Sequence, residues 1–304
     1  MTRSLDGRKP KTIAIKSFDG CMLVASQFGR PDKGAIVLSP GGGQTRYAWS
    51  GAANAFAEEG YFVVCADLRG HGDSDRAPGA RYSYHDYGRD ALALSDWVEC
   101  ETGIKPHYIG ASLGGVAALV AAGKIRQEGF SSLTLVDVAP KISEHEFGSI
   151  RNFMLDGAKR GFENINEAVV FLSTHFPRSN AETRSSSSSG GLQKNLRQGE
   201  DGRWRWHWDP AFVESLYLEP DEFERELTEA ATNLSIPIHF MRGGESELVT
   251  QEAAAHFRKI ASHIHYTEIK GARHMMTGDQ NDIFVDAALD YLARPELRRT
   301  RAEM

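Results

Sequence analysis

The chain has 304 residues, a formal net charge of −6 and 41% hydrophobic residues, enough for one large domain or for a domain with an insertion. The negative charge offers no basic surface to nucleic acid or to an anionic membrane. No apolar run approaches the ~18 residues that span a bilayer, and the first residues lack the apolar core of a secretory signal. Three widely spaced cysteines without a C-x-x-C pair favour reduced thiols and predict no metal site. We expect a cytoplasmic protein without nucleic acid, stable membrane insertion or cofactor, and composition leaves its oligomeric state open.

Short apolar runs alternate with helical patterns along most of the chain. Asp19-Gly20 separates the first two runs and predicts an antiparallel hairpin. Strands are predicted at residues 12–16, 22–28, 35–38, 62–66, 107–109, 133–138, 236–241 and 264–269. Helices are predicted near residues 49–58, 86–101, 113–127, 251–260 and 283–292. This alternation predicts an α/β fold with a mostly parallel twisted sheet and helices on both faces. Ligands of such sheets bind beyond the carboxyl ends of the strands.

Residues 141–233 interrupt the alternation. They contain a serine run at 185–189 that predicts a mobile loop, and the segment WRWHWDP at 204–210. Three tryptophans at alternate positions share one face of an extended segment, where they pack the insertion onto the main domain, line an apolar pocket, or do both. We expect residues 1–140 and 234–304 to form the core, 141–233 a helical cap or lid, and 295–304 a disordered tail. Trp206 is a candidate substrate contact.

The hexapeptide GASLGG at residues 110–115 is the strongest functional signal in the chain. It follows an apolar strand pattern and precedes an alanine-rich helix pattern. Flanking glycines let the chain reverse sharply, so that Ser112 can adopt a strained backbone and expose its hydroxyl. The alternative is a strand-to-helix turn in which Ser112 merely caps the helix. Strand and helix on the correct sides favour a nucleophile elbow with Ser112 as nucleophile.

A serine nucleophile requires a base, and position separates the eleven histidines of the chain. His274 alone follows a glycine-containing loop directly after the last predicted strand. That position fits the chain order nucleophile, acid, base. We therefore predict His274 as the general base, the alternative being an ordinary histidine of a surface loop.

Three consecutive glycines follow the first parallel strand at residues 41–43. Such glycines leave backbone N–H groups accessible to a developing oxyanion. No Lys-Ser/Thr pair follows, which excludes a phosphate-binding P-loop. Gly42 and Gly43 are therefore candidate binding residues, and the N–H of Leu113, just after the elbow serine, is the candidate second donor.

Taken together, these motifs resemble the α/β-hydrolase superfamily over nearly the whole chain. The blocks that carry the resemblance occur in the family's order, at residues 41–44, 67–74, 110–115, 242–246 and 271–274. Closer similarity is to capped bacterial serine hydrolases, often labelled hydrolase, acyltransferase or cofactor-free haloperoxidase. The resemblance implies Ser112 as nucleophile, His274 as base and Gly42 and Leu113 as oxyanion donors, with residues 67–74 shaping a loop. Pro40-Gly41 replaces the family's usual His-Gly, which alters the expected loop conformation.

Two carboxylates occupy the two places where this superfamily puts the acid of the triad. Asp137 ends a predicted strand, and Glu247 lies in the loop after the next core strand. Asp137-Val138-Ala139-Pro140 resembles small esterases that use the earlier position and pair it with a serine matching Ser246. We favour Asp137 and keep Glu247 as the alternative.

The type of residue at the nucleophile position limits the reactions that the site can catalyse. Relatives that open epoxides or displace halide carry aspartate at the elbow, whereas this chain has Ser112. Serine with a histidine base suits acyl transfer to water, so we expect hydrolysis of a small apolar carboxylic ester or lactone. The alternatives are amide hydrolysis, C–C hydrolysis on the same triad, or a small-ligand receptor that retains the hydrolase fold.

Overall fold

A computed structural model describes residues 10–175, 195–216, 219–274 and 281–298. Its ten strands are β1 Lys11–Lys16, β2 Met22–Phe28, β3 Gly34–Ser39, β4 Tyr61–Ala66, β5 His107–Ala111, β6 Ser132–Val136, β7 Leu196–Gln198, β8 Trp204–Trp206, β9 Ile238–Gly243 and β10 His265–Ile269. Its α-helices are α1 Ser50–Glu58, α2 Tyr84–Thr102, α3 Leu113–Val120, α4 Glu144–Arg160, α5 Ile165–His175, α6 Pro210–Ser215, α7 Pro220–Thr232, α8 Gln251–Ile260, α9 Asn281–Leu292 and α10 Pro295–Arg298. The serine run at 185–189 lies outside the described residues.

Eight strands form one sheet in the order β1-β2-β4-β3-β5-β6-β9-β10. β1 and β2 form the predicted antiparallel hairpin, β2 pairs antiparallel with β4, and every pair from β4 to β10 is parallel. β7 and β8 form a separate antiparallel pair. The sheet therefore has the mostly parallel architecture expected from the sequence.

Helices cover both faces of the sheet. On one face, α1 and α9 bury Phe56 and Phe284 against the strands, and Trp49 packs edge-on against Phe284 at 5.2 Å. The other face is covered by α2, α3, α7 and α8. Among the described residues, no helix is long and apolar enough to cross a membrane.

Local sequence fixes the ends of the helix that precedes the elbow strand. Ser83 and Asp86 form a reciprocal capping box at the start of α2, which satisfies two otherwise unpaired N–H groups. Gly103 ends the helix in the left-handed conformation, with φ of 69°. These signals position α2 against α3 and fix the length of chain that leads into β5.

Three details differ from the sequence-based prediction. β6 ends at Val136, two residues before the predicted end, because Asp137 adopts a left-handed φ of 53°. The helix after the elbow is regular only to Val120 and continues as a π-helical turn to Ile125. The first four residues of the expected disordered tail form the short helix α10, and residues 299–304 lie outside the described part.

The insertion at 141–233 contains α4, α5, the β7–β8 hairpin, α6 and α7. Helix α7 packs tightly on the π-helical turn, where a Cβ on Gly123 would lie 2.1 Å from the carbonyl oxygen of Ala230. Helix α4 instead contacts β8 and α6. The insertion therefore has one part seated on the helical layer of the sheet and another part that packs largely on itself.

Candidate active site

Ser112 lies at the sharp turn between β5 and α3. Its φ of 46° and ψ of −119° are unusual for a residue with a side chain. The turn is possible because glycines flank it. A Cβ on Gly110 would lie 2.5 Å from the carbonyl of Gly114, and a Cβ on Gly114 would lie 2.6 Å from the carbonyl oxygens of Ser39 and Pro40. Neither position admits a side chain, which explains the GASLGG pattern.

Three side chains form a hydrogen-bonded chain at the carboxyl ends of the strands. The Nε2 atom of His274 lies 3.2 Å from the hydroxyl oxygen of Ser112. Its Nδ1 atom lies 2.7 Å from Oδ2 of Asp137. With Nδ1–H donating to the carboxylate, Nε2 is left to accept the serine proton. Ser112 follows β5, Asp137 follows β6 and His274 follows β10, so the parallel sheet brings the three together.

Asp137 is fully buried and surrounded by donors. Its Oδ1 accepts from the backbone N–H of Gly243 at 3.1 Å, and its Oδ2 accepts from the hydroxyl of Ser246 at 2.5 Å as well as from His274. Several donors are what a buried carboxylate needs in place of water. Ser246, a candidate binding residue, therefore lies beside the carboxylate, to which its hydroxyl donates. Glu247 has an exposed side chain, so Asp137 is the candidate acid that the fold brings to His274.

The glycine segment after β3 forms a tight turn beside Ser112. The N–H of Gln44 donates to the carbonyl of Gly41 at 3.2 Å, and Oε1 of Gln44 accepts from the N–H of Gly41 at 3.0 Å. Gly43 occupies the third position with φ of 78°, which glycine adopts at little cost. A Cβ on Gly41 would lie 3.2 Å from Cβ of Ser112, so the turn closely approaches the nucleophile candidate.

The backbone N–H groups of the two candidate glycines differ in whether a hydrogen-bond acceptor is present. The N–H of Gly43 donates to Nε2 of His71 at 3.0 Å, so it is not open to a ligand. Gly43 was predicted as a candidate binding residue without a role as donor, so any contribution it makes to the site comes through the shape of the turn. Within the described residues, the N–H groups of Gly42 and Leu113 have no hydrogen-bond acceptor. They remain the two candidate oxyanion donors.

Two histidines hold the glycine turn in place, and sequence analysis singled out neither. His71 donates from Nδ1 to the carbonyl of Arg69 at 3.0 Å and accepts at Nε2 from Gly43. His207, from the insertion, donates from Nε2 to the carbonyl of Gly43 at 3.1 Å. Its Nδ1 accepts from the N–H of Gly72 at 2.7 Å. The two rings thus bind both polar groups of Gly43. One hint of their role is present in the sequence. His71 lies within the block at residues 67–74, and His207 lies within the tryptophan segment at 204–210.

Residues 67–74 form the loop that carries His71. Arg46 and Asp67 make a buried ion pair, and the N–H of Arg46 donates to Asp67 at 2.6 Å. Asp67 also accepts from the N–H of Asp73 at 2.9 Å. A Cβ on Gly72 would lie 2.2 Å from the Asp67 carboxylate, so the loop closes tightly around that group. The loop is therefore anchored to the segment that contains the glycine turn.

Apolar side chains of the insertion lie against the glycine turn. A Cβ on Gly43 would lie 3.0 Å from the terminal methyl of Met154 and 3.4 Å from the ring of Trp208. A Cβ on Gly42 would lie 3.6 Å from the ring of Phe212. Trp206 stacks on Trp208 with ring centroids 4.9 Å apart and an angle of 7°. Trp208 thus contacts the turn, and Trp206 lies one ring further away.

Stability is expected to fall in acid because His71 and His207 are held neutral. Burial lowers the pKa of His71 to about 4 and that of His207 to about 3, whereas an unfolded histidine titrates near pH ~6.5. Below that pH the unfolded chain binds protons that the folded chain excludes. The folded state therefore keeps its full stability above pH ~6.5 and loses part of it progressively toward pH ~4 and below.

Thermal unfolding followed between pH 7 and 4 measures this effect. Because His107 and His239 have similarly lowered pKa values, the informative quantity is the difference between variants. His207→Gln should reduce the slope of the unfolding free energy against pH. The reduction corresponds to close to one proton, which is at most about 1.4 kcal/mol per pH unit. His145→Gln, at an exposed position, should leave the slope unchanged. If the unfolding free energies of His207→Gln and His145→Gln had equal slopes against pH, His207 would not be held neutral by the fold.

Comparison with known proteins identifies the family of the chain. The model of the family described as serine aminopeptidase, S33, matches residues 30–281. A 3-hydroxybutyrate-oligomer hydrolase of Cupriavidus necator is 27% identical, with 75% of this chain and 76% of that protein covered. An esterase of Mycobacterium tuberculosis is 26% identical, with coverage of 81% and 78%.

Solved structures agree on the fold. The crystal structure of E-2-(acetamidomethylene)succinate hydrolase superposes with a TM-score of 0.78 over 94% of this chain and all of that one, at 19% identity. This likeness confirms the α/β-hydrolase fold predicted from the sequence motifs. With the family match covering most of its length, the chain belongs to the serine aminopeptidase S33 family of α/β hydrolases and is a hydrolase.

Proposed function

We propose that the protein hydrolyses a small apolar carboxylic ester or lactone through an acyl-enzyme on Ser112. The observation that carries the proposal is the position of His274, whose two ring nitrogens contact Ser112 at 3.2 Å and Asp137 at 2.7 Å. A nucleophile, a base and a group that orients the base are the three parts that serine acyl transfer requires. A distance of 3.2 Å is ordinary for this contact without substrate.

The reaction follows from this arrangement. As the Ser112 oxygen bonds to the carbonyl carbon, its proton passes to Nε2 of His274. Collapse of the tetrahedral adduct breaks the bond to the alcohol oxygen, and His274 returns the proton to that leaving group. Water then attacks the acyl-enzyme, giving its proton to His274, and Ser112 leaves as the hydroxyl after taking the proton back. Asp137 stabilises the transient imidazolium throughout and keeps Nδ1 protonated.

The negative charge of each tetrahedral adduct requires donors. The N–H groups of Gly42 and Leu113 fit this role because both lie beside Ser112 without an acceptor among the described residues. Leu113 also begins α3, and the positive end of a helix dipole favours an oxyanion there. Gly43 contributes by shaping the turn, since its own N–H is bound to His71.

An apolar acyl or alcohol group fits the surroundings of the turn. Met154, Trp208 and Phe212 all lie within 3.6 Å of a Cβ placed on Gly42 or Gly43. Charged substrate groups would lose hydration against these side chains without a compensating partner. Two relatives, an esterase and a 3-hydroxybutyrate-oligomer hydrolase, also favour oxygen esters.

We also propose that the insertion acts as a cap over the strand ends. The support is that α4 and α6 supply Met154 and Phe212 to the wall of the turn. The seated helix α7 is better described as part of the main layer, because it packs on α3 and the π-helical turn. Among the described elements, a cap that moves would therefore consist of α4, α5 and α6.

Substrate panels test the proposal against its alternatives. Purified protein is assayed with p-nitrophenyl acetate, butyrate and octanoate, with a lactone, with a diketone, and with p-nitroanilides of the same acyl groups. We expect turnover of the esters or lactone. The anilides address amide hydrolysis, which the aminopeptidase description of the family favours. Tight binding of ligands without turnover would instead favour a receptor, and cleavage of the diketone alone would favour C–C hydrolysis.

A further inference from the structure

We propose that His207 is a positioning residue for the oxyanion site, acting from the insertion through the glycine turn. The inference rests on the proposed function, because an oxyanion site has meaning only if acyl transfer occurs there. Among the described residues, no hydrogen bond joins His207 to Ser112 or His274. The hydrogen bonds of its ring are with the backbone of Gly43 and Gly72.

His207 joins two loops that sequence places far apart. Its Nε2–H donates to the carbonyl of Gly43, and its Nδ1 accepts from the N–H of Gly72. A neutral ring protonated at Nε2 makes both bonds at once. The residue is 8% exposed. The imidazole therefore acts as a spacer of fixed length between the glycine turn and the loop at residues 67–74.

The hydrogen bonds to Gly43 set the direction of the N–H of Gly42, which is the candidate oxyanion donor. The peptide after Gly43 is fixed by His207 through its carbonyl, and the peptide before Gly43 is fixed by His71 through its N–H. With both peptides fixed, the φ of 78° at Gly43 is fixed as well. The carbonyl of Gly41 accepts from Gln44 inside the turn. In a planar trans peptide the N–H points opposite the carbonyl, so the N–H of Gly42 points out of the turn.

Other contacts hold this part of the insertion independently of the imidazole. The N–H of Asp209 donates to the carbonyl of Gly70 at 2.8 Å, and the hydroxyl of Tyr82 donates to Asp209 at 2.7 Å. Removing the His207 ring contacts therefore releases the turn before it releases the segment. This separation makes a positioning effect distinguishable from a general loss of packing.

The test compares His207→Phe and His207→Gln with Tyr82→Phe. Phenylalanine keeps the ring and removes both hydrogen bonds, glutamine retains an amide that can donate to Gly43, and Tyr82→Phe removes one anchor of the same segment without touching the turn. We expect kcat for a p-nitrophenyl ester to fall by roughly 10–100-fold in His207→Phe with KM changed less than about 3-fold. His207→Gln should recover part of the loss, and Tyr82→Phe should keep kcat.

Two further readouts separate positioning from stability. Affinity for a trifluoromethyl ketone, whose hemiketal oxyanion occupies the same site, should weaken in parallel with kcat in His207→Phe. Hydrogen exchange of the peptide covering residues 40–45 should quicken in His207→Phe and stay at the wild-type rate in Tyr82→Phe. If His207→Phe does not fold, the comparison of His207→Gln with Tyr82→Phe decides the question.

The outcomes for His207 and for the proposed function differ. Unchanged kcat, inhibitor affinity and exchange in a folded His207 variant would overturn the positioning role while leaving ester hydrolysis intact. A wild-type protein that turns over no ester and binds no trifluoromethyl ketone would overturn the proposed function. In that case, unchanged exchange at residues 40–45 in His207→Phe would also reject His207 as the residue that holds the turn.

Discussion

Replacing Ser112 by alanine is expected to lower kcat for the best ester by a factor on the order of 10⁴–10⁶. The hydroxyl oxygen is the nucleophilic atom of that side chain, and it lies 3.2 Å from Nε2 of His274. KM and thermal stability should change little, because Ala tolerates the turn about as well as Ser. Steady-state kinetics with a thermal unfolding control measure both expectations.

Covalent labelling checks the same assignment without a known substrate. A fluorophosphonate should add one label to the wild-type protein, located by mass spectrometry at Ser112. Ser149→Ala provides a matched control, since Ser149 is an exposed serine whose hydroxyl donates to the carbonyl of His145 in its own helix. That variant should label like the wild type. Equal labelling of Ser112→Ala would reject the nucleophile.

Features with a local cause were predictable from the sequence. The elbow is one example, because Gly110 and Gly114 stand where any side chain would collide with backbone. The order of strands and helices is another, since apolar runs separated by helical patterns leave few arrangements other than a parallel sheet. Once the sheet is parallel, residues that follow its strands must gather at one edge. That alone brings Ser112 and His274 to the same place.

Features that depend on distant contacts were not predictable. His207 lies 164 residues from Gly43 and 135 from Gly72, and no periodicity records that these loops meet. For the same reason the sequence could not show whether the N–H of Gly43 is open to a ligand, because only the fold shows that His71 occupies it. Trp206 was singled out within a tryptophan cluster, whereas packing puts Trp208 against the turn.

The sequence could not decide which carboxylate orients His274. Asp137 and Glu247 both follow core strands, so both gather at the edge where His274 lies. Choosing between them requires the direction of each side chain. Asp137 leaves the end of β6 with a left-handed φ of 53°, and the N–H of Gly243 and the hydroxyl of Ser246 both bind its carboxylate. A strand pattern that ended two residues later gave no indication of this bend.

Exchanging Asp137 for asparagine is expected to cost about 10⁴ in kcat, whereas Glu247→Gln should cost little. An amide at position 137 can donate to Nδ1 of His274, which would place the imidazole proton on Nε2, where it opposes the hydroxyl of Ser112. Asparagine is the least disruptive replacement, because it tolerates a left-handed φ better than other residues with a side chain. Glu247 is exposed, so water can solvate the groups around it when its charge is removed.

Kinetics of both variants, with thermal unfolding as the control for folding, decide between the two carboxylates. Ser246→Ala adds a graded comparison, because it removes one donor to Oδ2 of Asp137 and leaves His274 bound to the same oxygen. We expect its kcat to fall between those of the wild type and Asp137→Asn, since the carboxylate loses orientation but keeps its charge. A large loss in Glu247→Gln together with an active Asp137→Asn would transfer the role of acid to Glu247. Ser112 and His274 would then keep their roles, because the acid acts on the reaction only by orienting His274 and stabilising its positive charge.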